Sequence, residues 1–530
     1  MIFLLFFIIK MKKNLNFFFI LFIILFQHIL TKDDSFKDKG KYPNRKSIKG
    51  LQPDYQPIGQ IIGNAVHTVA MNFEWYVWQP TLKKGTCAEL TEASFNGYCY
   101  VINTIEIDAI KKYTDEEIMV TAVVYGVPEW ARRSCSVAVN PTFCAPTEEG
   151  AVYYGLFLKF LANFFNGENG NGRISDFVIH NEVNDISWFN FGCNNGNCDL
   201  DLWTSVYAES YNKAYDNVIN EQKNEKVLIS FQHDFFSDLD VRLKNKNSVI
   251  SCETFLKYLV PKLGNRKWRL AFHSYPIDLL KPEFGPNDYP YVTFGNIGAI
   301  SGWLHKNYPK NPHAWEVQLT ENGINGDSSM LAAQKEYLCK AFKNILGTPG
   351  IESFIYHRLV DHAAEGSLKC GLWSATEKYK PAWELFALAN RKNVGEGYPT
   401  CGFELLPYVE IVNGYNGNVH YITTRNLPNG FKKESSFKIR RESNSEDMSL
   451  VYECRLGGPK GEHAFISSDY NCENQFNMGP MGYLYTKKVD NSIPLYRCLI
   501  TKNSDHFLTT DSNCDGIGKK EALMGYGFSM

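Results

Sequence analysis

From about residue 50 onward, short apolar runs rich in Val, Ile, Phe and Tyr alternate with longer stretches whose apolar positions recur every three or four residues. The runs predict strands at 60–69, 118–125, 174–180, 227–231, 270–273, 315–319 and 351–356, with a weaker one near 100–105. The longer stretches predict amphipathic helices at 151–165, 202–218, 252–259, 296–308 and 329–345, and a last helix at 382–391. Strands alternating with helices over some 350 residues imply parallel strands with crossover connections. The expectation is a (β/α)8 TIM barrel over 51–395; a doubly wound open sheet is the alternative. No glycine-rich phosphate loop follows any of the runs, which weakens a nucleotide-binding reading.

Beyond residue 395 the long periods stop, and short segments full of Gly, Asn and Tyr take over. His420, His463 and His506 stand 43 residues apart, and Cys454 and Cys498 keep nearly the same phase. Residues 400–530 therefore read as an all-β domain of three repeats, trefoil-like, with a small propeller or barrel as second choice. Residues recurring in a repeat ordinarily hold each unit together, so the histidines are read as structural before they are read as sugar-binding.

Two strand ends carry the chemistry. His180-Asn181-Glu182 closes the run 174–180, and Leu319-Thr320-Glu321-Asn322-Gly323 closes the run 315–319. Counting back from 351–356 as strand eight puts Glu321 at strand seven and Glu182 at strand four. Both then sit on the carboxyl-terminal rim, where such barrels build their sites. Two carboxyl groups on one rim suit glycosidic cleavage: one protonates the departing oxygen, the other attacks the sugar carbon or activates water. The bland alternatives are a helix cap for Asn181-Glu182 and a surface turn for Glu321-Asn322-Gly323.

Composition narrows the partners. With 530 residues, a formal charge of −2 and 14% aromatic residues, the chain has ordinary globular make-up and lacks the basic footprint of a nucleic-acid binder. A monomer acting on carbohydrate, with no cofactor and no metal, is expected. Residues 1–32 carry Lys12 and Lys13 before the apolar run 17–26 and read as a signal peptide, so no membrane span should persist after cleavage. Residues 33–50 are charged and without periodicity, and read as a flexible leader. Fourteen cysteines agree with an oxidising destination, extracellular or lumenal. Close pairs are Cys87 with Cys99, Cys135 with Cys144, Cys193 with Cys198, Cys454 with Cys472 and Cys498 with Cys514; no spacing suits zinc.

The barrel resembles the superfamily of retaining glycoside hydrolases with an acid/base on strand four and a nucleophile on strand seven. The resemblance rests on Asn181-Glu182, on Thr320-Glu321-Asn322-Gly323, on Gly126-Val127-Pro128-Glu129-Trp130 and on His273-Ser274-Tyr275-Pro276. His67-Thr68-Val69, Tyr356-His357-Arg358 with Asp361-His362, and Gly371-Leu372-Trp373 are closer to an uncharacterised, mostly bacterial branch. Tyr496-Arg497 with Asp505-His506-Phe507 resembles a small repeat domain appended to secreted hydrolases. The likeness implies Glu182 as general acid/base, Glu321 as nucleophile and Asn181 on the sugar 2-hydroxyl. It leaves His273, Tyr275, Trp373, His67 and Arg358 as substrate-binding candidates, with His357 and Asp361 beside them; Trp130 is read as structural. A lectin that had lost turnover and a transglycosylase are the rival readings.

Overall fold

The computed structural model describes residues 34–53, 66–135, 140–193, 198–242, 248–388 and 407–530. The expected signal peptide and much of the segment joining the two domains lie outside these residues.

Eight parallel strands close into a barrel. In chain order they are β1 (Lys49–Leu51), β2 (Thr68–Glu74), β5 (Met119–Tyr125), β6 (Asp176–Ile179), β7 (Lys226–Phe231), β8 (Arg269–Phe272), β9 (Val317–Asn322) and β10 (Ile351–Tyr356). Neighbours in this order pair all the way round, and β1 closes the ring by pairing with both β2 and β10. The strands are nearly all buried on both faces, as expected where crossover helices cover a parallel sheet. Helices Glu148–Phe164 and Leu200–Glu221 pack against each other outside β5 and β6. Thr147 and Asp199 cap their N-termini through side-chain oxygens.

Three expectations need correction. The segment 33–50 is not a flexible leader: Asp34–Lys37 forms a 3-10 turn, and Lys49–Leu51 is the first barrel strand. Its basic residues look solvated in sequence but are paired inside. Arg45 reaches Asp176 at 3.1 Å and Glu352 at 3.6 Å, and Lys49 donates to the Phe386 carbonyl at 2.7 Å. Gly50 fits because a Cβ there would come within 2.7 Å of Ile355 and 3.1 Å of the Thr68 carbonyl. Of the strand expected at 60–69, residues 60–65 lie outside the described residues, and the second barrel strand runs Thr68–Glu74, past the expected end at Val69. The weak strand near 100–105 is a hairpin outside the barrel, β3 (Glu92–Phe95) with β4 (Tyr98–Val101), clamped by Cys87–Cys99.

All five cysteine pairs expected from spacing are disulfides. Among the described residues no helix is long and apolar enough to cross a membrane.

Nine strands, from β11 (Tyr408–Tyr415) to β19 (Lys519–Gly527), make a separate C-terminal domain with its own apolar core that includes Ile411, Ile422, Val451, Ile466, Leu495 and Leu508. Their pairing forms one nine-stranded sheet. His420, His463 and His506 come together around Asp505: His420 Nδ1 lies 2.6 Å and His463 Nε2 3.5 Å from its carboxylate, and the His506 backbone N–H donates to His463 Nε2 at 2.9 Å. The domain is docked on the barrel through buried Arg425, which donates to Glu453 at 2.7 Å and to Thr348 at 3.2 Å.

Candidate active site

β6 and β9 are the fourth and seventh strands around the barrel, and each delivers its glutamate at the carboxyl-terminal rim. Glu321 is the penultimate residue of β9. Glu182 stands three residues past β6, in a turn where both His180 (φ 59°) and Glu182 (φ 40°) take left-handed backbone. Such conformations cost L-residues about 1 kcal/mol each and persist only where surroundings dictate them. Here the His180 ring stacks on Tyr154 at 4.4 Å and bonds Ser210 Oγ at 2.7 Å. Ser230, near the end of β7, takes the next turn in hand: its hydroxyl accepts from the Glu182 N–H at 3.0 Å and its carbonyl from Val183 at 3.0 Å.

Glu182, His273 and Glu321 converge. One ligand-type atom from each lies within 4.8 Å of the others, which bounds the approach of the two carboxyl groups. His273 Nδ1 is 2.7 Å from Glu182 Oε1, and the Tyr275 hydroxyl donates to Glu321 Oε1 at 3.1 Å. Asn322 accepts from the Ser274 N–H at 2.7 Å and hydroxyl at 2.9 Å, fixing the turn that carries His273 and Tyr275 to the strand that carries Glu321.

The two glutamates are pushed apart electrostatically. Burial raises the Glu182 carboxyl, the charge of Glu321 adds to that, and the His273 hydrogen bond opposes it without reversing it. Burial also pushes Glu321 upward, but there it is outweighed by the positive charges of His273 and His357 and by the Tyr275 hydrogen bond, so Glu321 ends below the ordinary range. His273 is raised: burial disfavours its charge, and the two glutamates more than compensate. The two carboxyl groups, close together on one rim, are thus shifted in opposite directions.

The remaining candidates divide. Asn181, next to Glu182, is 5% exposed, and its Oδ1 has no hydrogen-bond partner among the described residues. Arg358 and His357 follow β10 on the rim, and both address Glu365 Oε1, at 2.8 and 3.0 Å. Asp361 is held by Lys380 at 2.9 Å in a buried pair. Trp373 is 4% exposed, packed against Tyr379 and Trp383, with its indole N–H unpartnered among the described residues. Trp130 donates to the Gln79 carbonyl and packs on Trp75.

His67 is a correction. It precedes β2, its N–H donates to Lys49 and its carbonyl accepts from Met119, so it lies at the amino-terminal mouth, on the order of 20 Å from the glutamates along the strand. Burial and the charges of Lys49 and Lys46 push its imidazole down to about 4. The strand end it was expected to occupy belongs to Glu74, whose Oε1 is 3.5 Å from the Tyr125 hydroxyl. Glu74 and Ser230 were not foreseen; a lone serine inside the apolar run 227–231 was the available signal for the second.

Among the described residues two groups have the spacing to hold a metal ion. One is the Glu182–His273–Glu321 set. The other, Cys87, Glu92 and Cys99, has both thiols closed in a disulfide.

No curated protein matches the sequence. Among solved structures, the chain is similar to a family 39 glycoside hydrolase from Bacteroides cellulosilyticus WH2, with a TM-score of 0.44, 13% identity, and coverage of 85% of this chain and 82% of that one. It is also similar to a glucosidase from Croceicoccus marinus (TM-score 0.42, 12% identity, 66% and 69% covered). A third likeness is to a GH39 enzyme from Xanthomonas axonopodis pv. citri (TM-score 0.41, 10% identity, 66% and 67% covered). The sequence profile of DUF5722, a family of unknown function, matches residues 41–398, most of the chain, and the protein belongs to that family.

Proposed function

We propose that the protein is a secreted, retaining glycoside hydrolase that cleaves O-glycosidic bonds of an oligo- or polysaccharide by double displacement. The observation that carries this reading is the approach of Glu182 and Glu321, with carboxylate oxygens within 4.8 Å across one rim. Retaining enzymes hold their two carboxyl groups roughly 5–5.5 Å apart, whereas inverting enzymes need about 6.5–9.5 Å for an intervening water. The opposed pKa directions support the same assignment.

In this mechanism Glu321 attacks the anomeric carbon as Glu182 protonates the leaving oxygen. Glu182, now ionised, then removes a proton from water, which displaces Glu321 and releases the sugar with its configuration kept. Tyr275 holds the attacking oxygen's partner in place, and His273 stabilises whichever glutamate bears charge. Asn181, with its free carbonyl oxygen beside Glu182, takes a sugar hydroxyl, and Trp373 and Arg358 border the glycone. Five disulfides support export to an oxidising compartment. The C-terminal domain is proposed as three related copies serving as an accessory carbohydrate module.

The test is a panel of oligosaccharides and activated glycosides assayed with the wild type, Glu321→Gln and Glu182→Gln. Cleavage by the wild type alone supports the reading. Equal activity in all three rejects the mechanism, binding without cleavage by the wild type makes the protein a lectin, and longer products make it a transglycosylase.

A further inference from the structure

The acid/base side of the rim carries three aromatic rings that the mechanism above leaves unused. Tyr125 ends β5, Phe143 lies in the loop that follows it, and Trp188 lies in the loop after β6. Their rings form one group: Phe143 and Trp188 centroids are 4.7 Å apart, Tyr125 and Phe143 6.1 Å, Tyr125 and Trp188 6.5 Å. Each is only partly buried.

This group adjoins the reacting centre. From Glu182 the chain runs through two successive turns, Asp185 N–H to the Glu182 carbonyl at 2.9 Å and Trp188 N–H to the Asp185 carbonyl at 3.1 Å. Trp188 is thereby tied to the acid/base through six residues of hydrogen-bonded chain. Tyr125 lies near enough to Glu321 for that carboxylate's charge to act on its hydroxyl.

The described stretches around Phe143 and Asn190 are also pinned together. Cys144, beside Phe143, is bridged to Cys135 and pairs as an isolated β-bridge with Asn190. The Asn190 N–H donates to the Phe143 carbonyl at 2.9 Å, and the Ala145 N–H to the Asn190 carbonyl at 2.7 Å. Loops that merely closed the barrel top would tolerate polar, mobile tips. Here a disulfide and a backbone ladder fix a cluster of part-exposed rings beside a proton donor.

We propose that Tyr125, Phe143 and Trp188 form the subsite for the leaving-group side of the substrate, and that its occupant is a sugar ring. Ring faces stack on the apolar faces of a pyranose, and their rigidity limits the entropy lost on binding. The position follows from the chemistry: the oxygen that Glu182 protonates belongs to the leaving group, so the leaving group lies on Glu182's side of the rim, over β5 and β6. The scissile bond thus joins two sugars, and the same subsite seats an acceptor sugar when the glycosyl-enzyme is intercepted before water. This inference rests on the assignment of Glu182 as the acid/base.

The experiment compares two substrates of one glycone, a glycosyl fluoride and a disaccharide, in the wild type, Trp188→Ala and Phe143→Leu. The panel covers gluco-, galacto-, manno- and xylo-configured pairs of both anomers. Fluoride leaves without a sugar in the subsite, so each substitution should lower kcat/KM for the disaccharide about tenfold more than for the fluoride. Equal losses on both substrates, or no loss on the disaccharide, overturn the subsite while the glycosidase reading stands. A wild type that cleaves neither class across the panel removes both.

Discussion

His273 Nδ1 stands 2.7 Å from Glu182 Oε1, and the same ring lowers the carboxyl of Glu321 through its charge. One imidazole thus acts on both glutamates, and its removal has a signature that simple loss of packing lacks. In the proposed mechanism Glu321 must be ionised to attack, so activity should fall as pH drops through its pKa. Glu182 must be protonated to donate, so activity falls as pH rises through its pKa. His273 opposes the upward push of burial on both groups. In His273→Asn both limbs of the kcat/KM profile should move toward higher pH; profiles that superimpose after scaling would contradict the assignment.

Glu182→Ala should depend on the leaving group. General acid catalysis contributes about 10²- to 10⁴-fold, so a disaccharide should lose that much while a glycosyl fluoride loses far less. Azide should restore turnover, giving a glycosyl azide of unchanged anomeric form. An azide product of inverted configuration, or uniform loss across leaving groups, would remove Glu182 from the role.

The amino-terminal segment should prove integral to the barrel. Arg45, its side chain 10% exposed, pairs with Asp176, whose side chain is wholly inaccessible. Arg45→Ala leaves Asp176 its hydrogen bonds from Tyr42, Thr121 and Gln318 but removes its charge partner, so the variant should lose up to about 3–5 kcal/mol and melt well below the wild type. Deletion of residues 34–51 should abolish soluble folding, since the barrel then has no first strand. A stable, cooperatively melting deletion variant would restore the reading of this segment as a leader.

Asp234 makes stability depend on pH. Burial, followed by the charges of Asp185, Glu182 and Asp240, raises its carboxyl from 3.8 to about 7. The folded state then holds the proton more tightly than the unfolded one. The stability this adds is whole below about pH 4 and is lost as pH rises through about 7. Asp234→Asn should therefore melt above the wild type at pH 8 and show a flatter dependence of Tm on pH. A wild type that gains stability between pH 5 and 8 relative to the variant would reverse the sign.

Chelation addresses the spacing of Glu182, His273 and Glu321, which also suits a metal ion. Double displacement by two glutamates needs none, so dialysis against EDTA should leave kcat/KM within about twofold. Loss of activity restored by a divalent cation would reassign the three residues.

The barrel and its two glutamates were legible because their signals are local: apolar runs of strand length, each ended by a carboxylate, and a count that depends only on order. β1 was illegible because it is three residues long, sits among lysines and arginines, and contains Gly50; only its neighbours β2 and β10 make it a strand. Ending the following strand at Val69 rather than at Glu74 put His67 near a supposed strand end, whereas it precedes β2. The left-handed turn at His180 and Glu182 left no glycine to mark it, because Tyr154, Ser210 and Ser230 enforce it from distant positions. The five disulfides were readable because each closes a short loop, with sequence separations from 5 to 18.

The most direct test of the central claim is the intact mass of the protein after incubation with a 2-deoxy-2-fluoro glycosyl fluoride of the cleaved sugar. The slowed second step should trap one glycosyl adduct per chain, and fragmentation should place it on Glu321. An adduct on another residue, or turnover of the parent glycoside with inversion and no adduct, would contradict the account.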